Sequence, residues 1–177
     1  KYCQELSETY GVRVVAVESV EAAVRGADVI NVATAGAVSP EIHDEWLKEG
    51  VLLTLPASAA LSLDTMKSSR IVVDNWKMYE AYAQELRGLP GGYAANLSGI
   101  CGYLMDLVES GEIPQKDIVN LGDVIAGKQE CRRNDRERVI FIMDGMPIED
   151  LAWGYTVYEN AKKMGLGTKL NLWEKTR

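Results

Sequence analysis

Few side chains in this chain have the type and spacing to do chemistry. His43 is the sole histidine, and it sits between Ile42 and Asp44 in a polar stretch, which favours a solvated side chain over a general base. Cys3, Cys101 and Cys131 are odd in number, far apart and free of any Cys-x-x-Cys or Cys/His spacing, so they fit reduced thiols better than zinc ligands. Arg132 and Arg133 have the chemistry to bind a carboxylate or phosphate, but Asp135 and Glu137 beside them favour a surface charge cluster. No Gly-x-Gly-x-x-Gly turn that could cradle a pyrophosphate occurs in residues 1 to 177.

The elements that must position any site alternate short apolar strands with capped helices, the pattern of parallel strands covered on both faces. Tyr2, Leu6 and Tyr10 share a helix face ending at Gly11. Val12 to Val17 then reads as a strand, and Ser19 as the cap of a helix stopped by Gly26. Val29 to Ala33 is the next strand, and Ser39-Pro40-Glu41 predicts a helix running to Gly50. Val51 to Leu55, a short helix over Ser62 to Lys67, and Ile71 to Asp74 continue the alternation.

A helix carrying Trp76, Tyr79, Ala83 and Leu86 is broken at Leu89-Pro90-Gly91-Gly92. Leu97 to Val108 and Ile118 to Ala126 read as further helices, and Arg138 to Met143 as a strand. Pro147 opens the last long helix, with Glu149 and Asp150 in its first turn, Lys162 and Lys163 in its last, and a stripe of Ile148, Leu151, Ala152, Tyr155 and Tyr158 expected to be buried. Thr168 to Trp173 alternates like a final strand. The fold class is α/β, a doubly wound parallel sheet, whose ligands bind beyond the carboxyl ends of the strands.

Composition narrows the partners. A chain with 47% hydrophobic and 25% charged residues is an ordinary globular domain, and a net charge of -7 offers no basic face for nucleic acid or an anionic membrane. No apolar run approaches the roughly 20 residues needed to span a bilayer, and the amino terminus lacks a signal-peptide pattern, so a cytoplasmic protein of small-molecule chemistry is expected.

Leu121-Gly122-Asp123-Val124-Ile125-Ala126-Gly127-Lys128 resembles the I-G-E/D-V-x-A-G-K segment of the ornithine cyclodeaminase and mu-crystallin family. Gly145-Met146-Pro147-Ile148-Glu149-Asp150-Leu151-Ala152 is similar to its G-x-x-I-x-D-x-A motif, and Val20 to Ile30 resembles the helix and strand that lead to an Ala-Thr cofactor loop, here Ala33-Thr34. The resemblance implies a Rossmann-like domain binding NAD or NADP, over residues 1 to 145 with a helical insertion around 92 to 128. Residues 146 to 177 would return to a dimerisation domain that, like the Gly-rich turn, is expected before Lys1. By family position the cofactor would meet Ala33, Thr34, Ala35, Pro56, Ala57, Ser58, Asp144 and Gly145. Thr34 fits equally a turn satisfying its own backbone, and Asp144-Gly145 an ordinary helix-entry dipeptide.

The same resemblance carries one departure. The family's cyclodeaminases hold a catalytic aspartate in the loop after the strand matching Val51 to Leu55, whereas this chain reads Pro56-Ala57-Ser58-Ala59-Ala60-Leu61, without an acid. Asp64 is the nearest candidate, yet the first turn of a helix favours an acid for dipole reasons alone. Two functions follow: an NAD(P)-dependent oxidoreductase acting as a homodimer on an amino acid or imine, or a non-catalytic binder of NAD(P) or a small ligand.

Overall fold

The computed structural model describes residues 1–34, 38–97 and 99–170. It divides into two compact units, Lys1–Asp144 and Gly145–Arg177. The first is built on a sheet of β1 (Val29–Asn31), β2 (Leu52–Leu55), β3 (Arg70–Val73), β4 (Val119–Asn120) and β5 (Val139–Ile142), in the order β1-β2-β5-β3-β4. Every pairing is parallel. The strands hold together because their alternating side chains bury on opposite faces. Ile30, Leu53, Leu55, Ile71, Val73, Ile140 and Ile142 join the larger core, while Val72, Val119 and Val139, backed by Leu52 and Phe141, make a smaller one.

Helices α1 (Tyr2–Tyr10) and α2 (Val20–Val24) precede β1, and α3 (Leu63–Ser68), α4 (Trp76–Leu86), α5 (Gly92–Asn96), α6 (Ile100–Glu109) and α7 (Leu121–Ile125) lie between later strands. Side-chain caps start three of them. Ser19 Oγ accepts from Ala22 N at 3.1 Å, Ser62 Oγ from Thr65 N at 3.0 Å, and Asn75 Oδ1 from Lys77 N at 3.2 Å. The α5–α6 pair is locked differently: the Asp106 carboxylate accepts from Tyr93 N at 2.7 Å and Ala94 N at 2.9 Å. The absent side chain of Gly102 lets the helices close, since a Cβ there would lie 2.5 Å from Tyr93 O.

Four expectations are corrected. Val12 to Val17 is not a strand: no described strand lies beside it to share a ladder, and Val12, Val15 and Val17 are exposed. The helix predicted from Pro40 to Gly50 is reduced to one 3₁₀ turn, Asp44–Trp46, because the backbone before it bridges to the loop after β2. Ile42 N donates to Ala60 O and Ala60 N to Pro40 O, so those groups are not available to a helix. The helix from Ile118 begins instead as β4, since pairing of Val119 with Val72 outweighs local propensity, and helix follows only from Leu121. The helix from Leu97 starts at Ile100, behind Gly99 at φ 86.

The second unit consists of α8 (Pro147–Met164), with Pro147 in its first turn, acids at Glu149 and Asp150, and Gly165 closing it at φ 66. Its expected buried stripe is exposed: Ile148, Leu151, Tyr155 and Tyr158 all face solvent, because no described element covers them. Thr168 to Leu170 form no strand, and the rest of that expected strand lies outside the described residues. Among the described residues, no helix is long and apolar enough to cross a membrane.

Candidate functional site

Because all five strands run the same way, the loops leaving β1, β2 and β5 meet at one edge of the sheet. There they enclose a cavity of about 370 Å³. Thr34 follows β1; Pro56, Ala57 and Ser58 follow β2; Met143 and Asp144 follow β5; and Gly99, Ile100 and Cys101 at the start of α6 close the far side. Ala57 N donates to Val32 O at 3.0 Å, folding the β2 loop onto the end of β1. Gly99 brings α6 close to that loop: a Cβ there would lie 3.5 Å from Ser58 Oγ. The N-cap of α6 is Gly99, which has no side chain to cap it.

Among the described residues, Asp144 is the only charged side chain in the lining. Its backbone N–H donates to Asp74 Oδ2 at 2.9 Å, and Asp74 Oδ1 accepts from Asn75 N at 2.9 Å. Asp74 itself is 5% exposed. On the side-chain end, Cys101 Sγ donates to Asp144 Oδ1 at 3.6 Å and Tyr79 Oη donates to Cys101 Sγ at 3.8 Å, while the Tyr82 hydroxyl lies near enough to the Asp144 carboxyl to be raised by it.

These donors stay protonated. Burial, then the nearby charge of Asp144, pushes the Cys101 thiol up to about 12. Tyr79 is raised mainly by burial, and Tyr82 mainly by its hydrogen bond to Asp144. Asp144 therefore sits as a carboxylate-bearing corner held by a neutral thiol and a neutral phenol.

Of the residues expected from sequence, Thr34, Pro56, Ala57, Ser58 and Asp144 come together at the cavity, and Ala33 lies next to it in sequence, exposed. Ala35 lies outside the described residues, and Gly145, at φ 90, opens the second unit. Asp64 is exposed in the first turn of α3 and does not line the cavity. His43 packs edge-on against Trp46, and Arg133 pairs with Glu137, both elsewhere. Among the described residues no group of three or more His, Cys, Asp or Glu is placed to hold a metal. Sequence reasoning missed Asp74, Tyr79, Tyr82 and Cys101. The one signal was the i, i+3 spacing of Tyr79 and Tyr82, which puts both hydroxyls on one face of α4.

An all-parallel sheet with its cavity at the strand carboxyl ends defines a doubly wound α/β domain of the ligand-binding kind. The chain belongs to the ornithine cyclodeaminase/mu-crystallin family, whose model matches residues 1–165. It is 29% identical over 145 residues to an alanine dehydrogenase of Archaeoglobus fulgidus, covering 78% of this chain and 39% of that protein. A Delta(1)-pyrroline-2-carboxylate reductase of Bacillus cereus is 27% identical over 170 residues, 96% of this chain and 48% of that protein. Among solved structures, the Thermococcus litoralis Delta(1)-pyrroline-2-carboxylate reductase in complex with NADH and L-proline matches at a TM-score of 0.70 with 25% identity, covering 96% of this chain and 48% of that one. The chain thus spans less than half the length of these relatives.

Proposed function

We propose that this chain supplies the nicotinamide end of an NAD(P)-dependent oxidoreductase that interconverts an amino acid or cyclic amine with its imine. The observation that carries it is the cavity at the carboxyl ends of β1, β2 and β5, on a fold whose relatives are named as an alanine dehydrogenase and pyrroline-2-carboxylate reductases. The lining fits one end of such a cofactor. Small side chains at Thr34, Ala57, Ser58 and Gly99 leave room for a flat ring, while about 370 Å³ is at the low end for a ligand site and holds a ring and a small substrate rather than a whole dinucleotide.

In this reading Ala33, Thr34, Ala35, Pro56, Ala57, Ser58, Asp144 and Gly145 contact the cofactor. The cofactor supplies the hydride, and the protein orients it and excludes water. A homodimer completed by residues preceding Lys1 belongs to the same proposal, as does the choice of either NAD or NADP.

A second reading, a non-catalytic binder of NAD(P) or a small ligand, is favoured by one feature: the loop from Pro56 to Leu61 carries no acid. Titrating the intact polypeptide with NADH and NADPH by nucleotide fluorescence, followed by turnover assays on amino acids and cyclic imines, separates the two. Binding with turnover is expected. Binding without turnover selects the second reading, and absence of binding to either nucleotide overturns both.

A further inference from the structure

The cavity has one charged wall, and it is placed to meet a substrate rather than to brace the fold. Leu55 and Ile142 are paired across β2 and β5, and each chain runs two residues further into the cavity, to Ala57 on one side and Asp144 on the other. The acid of this site therefore sits on the β5 loop, directly across from a β2 loop that has none.

Bracing is already provided by Asp74, whose buried carboxylate takes the backbone N–H groups of Asn75 and Asp144 and so ties the ends of β3 and β5. The side chain of Asp144 accepts from the Cys101 thiol and lines the cavity. Its polar neighbours Cys101 and Tyr82 are both neutral, and among the described residues no lysine, arginine or histidine lines the cavity. A carboxyl group with only neutral side chains beside it, in a partly enclosed space, is a better partner for a cation than the same group in water.

We propose that Asp144 is a catalytic residue that receives the positively charged nitrogen of an amine or iminium substrate, oriented for that task by Cys101 and Tyr82. This rests on the oxidoreductase reading above. In the reducing direction the imine carbon accepts a hydride, two electrons with one proton, from a reduced nicotinamide cofactor. The C=N π pair moves onto nitrogen, which keeps the proton it shares with Asp144 and leaves as the amine. In the oxidising direction the same carboxylate takes a proton from the substrate ammonium before hydride departs. Cys101 and Tyr82 are positioning residues: they fix which carboxylate oxygen faces the cavity.

Asp144→Asn in the intact polypeptide is the test, because the amide oxygen keeps an acceptor for Cys101 while the charge is lost. Three quantities are read: NADH affinity by fluorescence, L-proline affinity by calorimetry with and without NADH, and kcat/KM on a cyclic imine. The expected result is L-proline binding weakened by more than NADH affinity, and kcat/KM lower by roughly 10²–10⁴-fold, the usual worth of acid-base assistance. Tyr82→Phe should lower kcat/KM less and leave NADH affinity alone.

Unchanged L-proline binding and turnover in Asp144→Asn, with NADH binding intact, overturns the role of Asp144 and leaves the oxidoreductase reading standing. A loss confined to NADH affinity also overturns it, leaving Asp144 a cofactor contact with no part in holding the substrate. Wild type that binds L-proline through Asp144 but neither NADH nor NADPH overturns the oxidoreductase reading instead.

Discussion

The backbone N–H of Asp144 donates to the carboxylate of Asp74 at 2.9 Å, so a buried acid at the end of β3 fixes the end of β5. Asp74→Ala removes the acceptor for two N–H groups, those of Asn75 and Asp144, and leaves both without their acceptor at the strand ends. Orphaned buried donors cost roughly 1–3 kcal/mol each. The expected outcome is a destabilisation of about 2–6 kcal/mol in urea unfolding, with loss of turnover, for the two donors together. A variant as stable as wild type would show that Asp74 does not brace the strand ends.

Gly102 decides how closely α5 and α6 pack. An alanine gains helix propensity worth about 1 kcal/mol, but its Cβ would sit 2.5 Å from Tyr93 O and 2.8 Å from Ala94 Cα, backbone atoms that cannot swing away. Overpacking of this kind costs about 1–3 kcal/mol, so Gly102→Ala should be net destabilising. Since α6 also forms one wall of the cavity, ligand affinity should fall with it. Equal or higher stability in denaturant titration would mean that the helices separate freely.

Much of the sheet was legible because its strands are buried on both faces. Leu52–Leu55 and Val139–Ile142 are nearly continuous apolar runs, and position in the chain alone identifies them. Val12 to Val17 is just as β-branched, but a strand also requires a neighbour, and local sequence does not report one. Ser39-Pro40-Glu41 has the composition of a helix start, yet its backbone is engaged by Ala60, a contact between distant segments.

The site was half legible for a related reason. Thr34, Ala57, Ser58 and Asp144 lie directly after strands, where ligands of parallel sheets bind. Asp74, Tyr82 and Cys101 reach Asp144 because β5 inserts between β2 and β3, an order that no local pattern encodes.

The Cys101 thiol is raised from an ordinary 9.0 to about 12 by burial first and by Asp144 second. At pH 8 its thiolate population, and hence its alkylation by iodoacetamide, should be on the order of 10³-fold lower in the folded protein than after unfolding in urea. The same shift gives stability a pH dependence of definite sign. The folded state holds this proton more tightly than the unfolded chain, so the contribution is complete below about 9 and is lost as pH rises towards about 12. Tyr79 and Tyr82, also raised, act in the same direction. Urea midpoints should therefore decline from pH 8 to 10.5; a flat profile, or rapid labelling of Cys101 in native buffer, would contradict the buried thiol.

Cyclisation of ornithine to proline demands more of a protein than hydride transfer to a preformed imine. The amine must first be oxidised, the side-chain amine must then attack, and ammonia must leave, with protons handled at each step. Asp144, as proposed above, handles the one proton on the substrate nitrogen, but the further proton transfers of cyclisation need a second acid, and Pro56 to Leu61 has none. Asp64 does not replace it, since it is exposed in the first turn of α3, where it favours the helix dipole. Loss of acid-base assistance raises a barrier by about 3 to 5 kcal/mol. The intact polypeptide is accordingly expected to reduce a cyclic imine while converting ornithine at roughly 10²–10⁴-fold lower efficiency, with Asp64→Asn leaving both rates unchanged. Robust proline formation from ornithine in the wild type, abolished by Asp64→Asn, would reverse the assignment and place the working acid on α3.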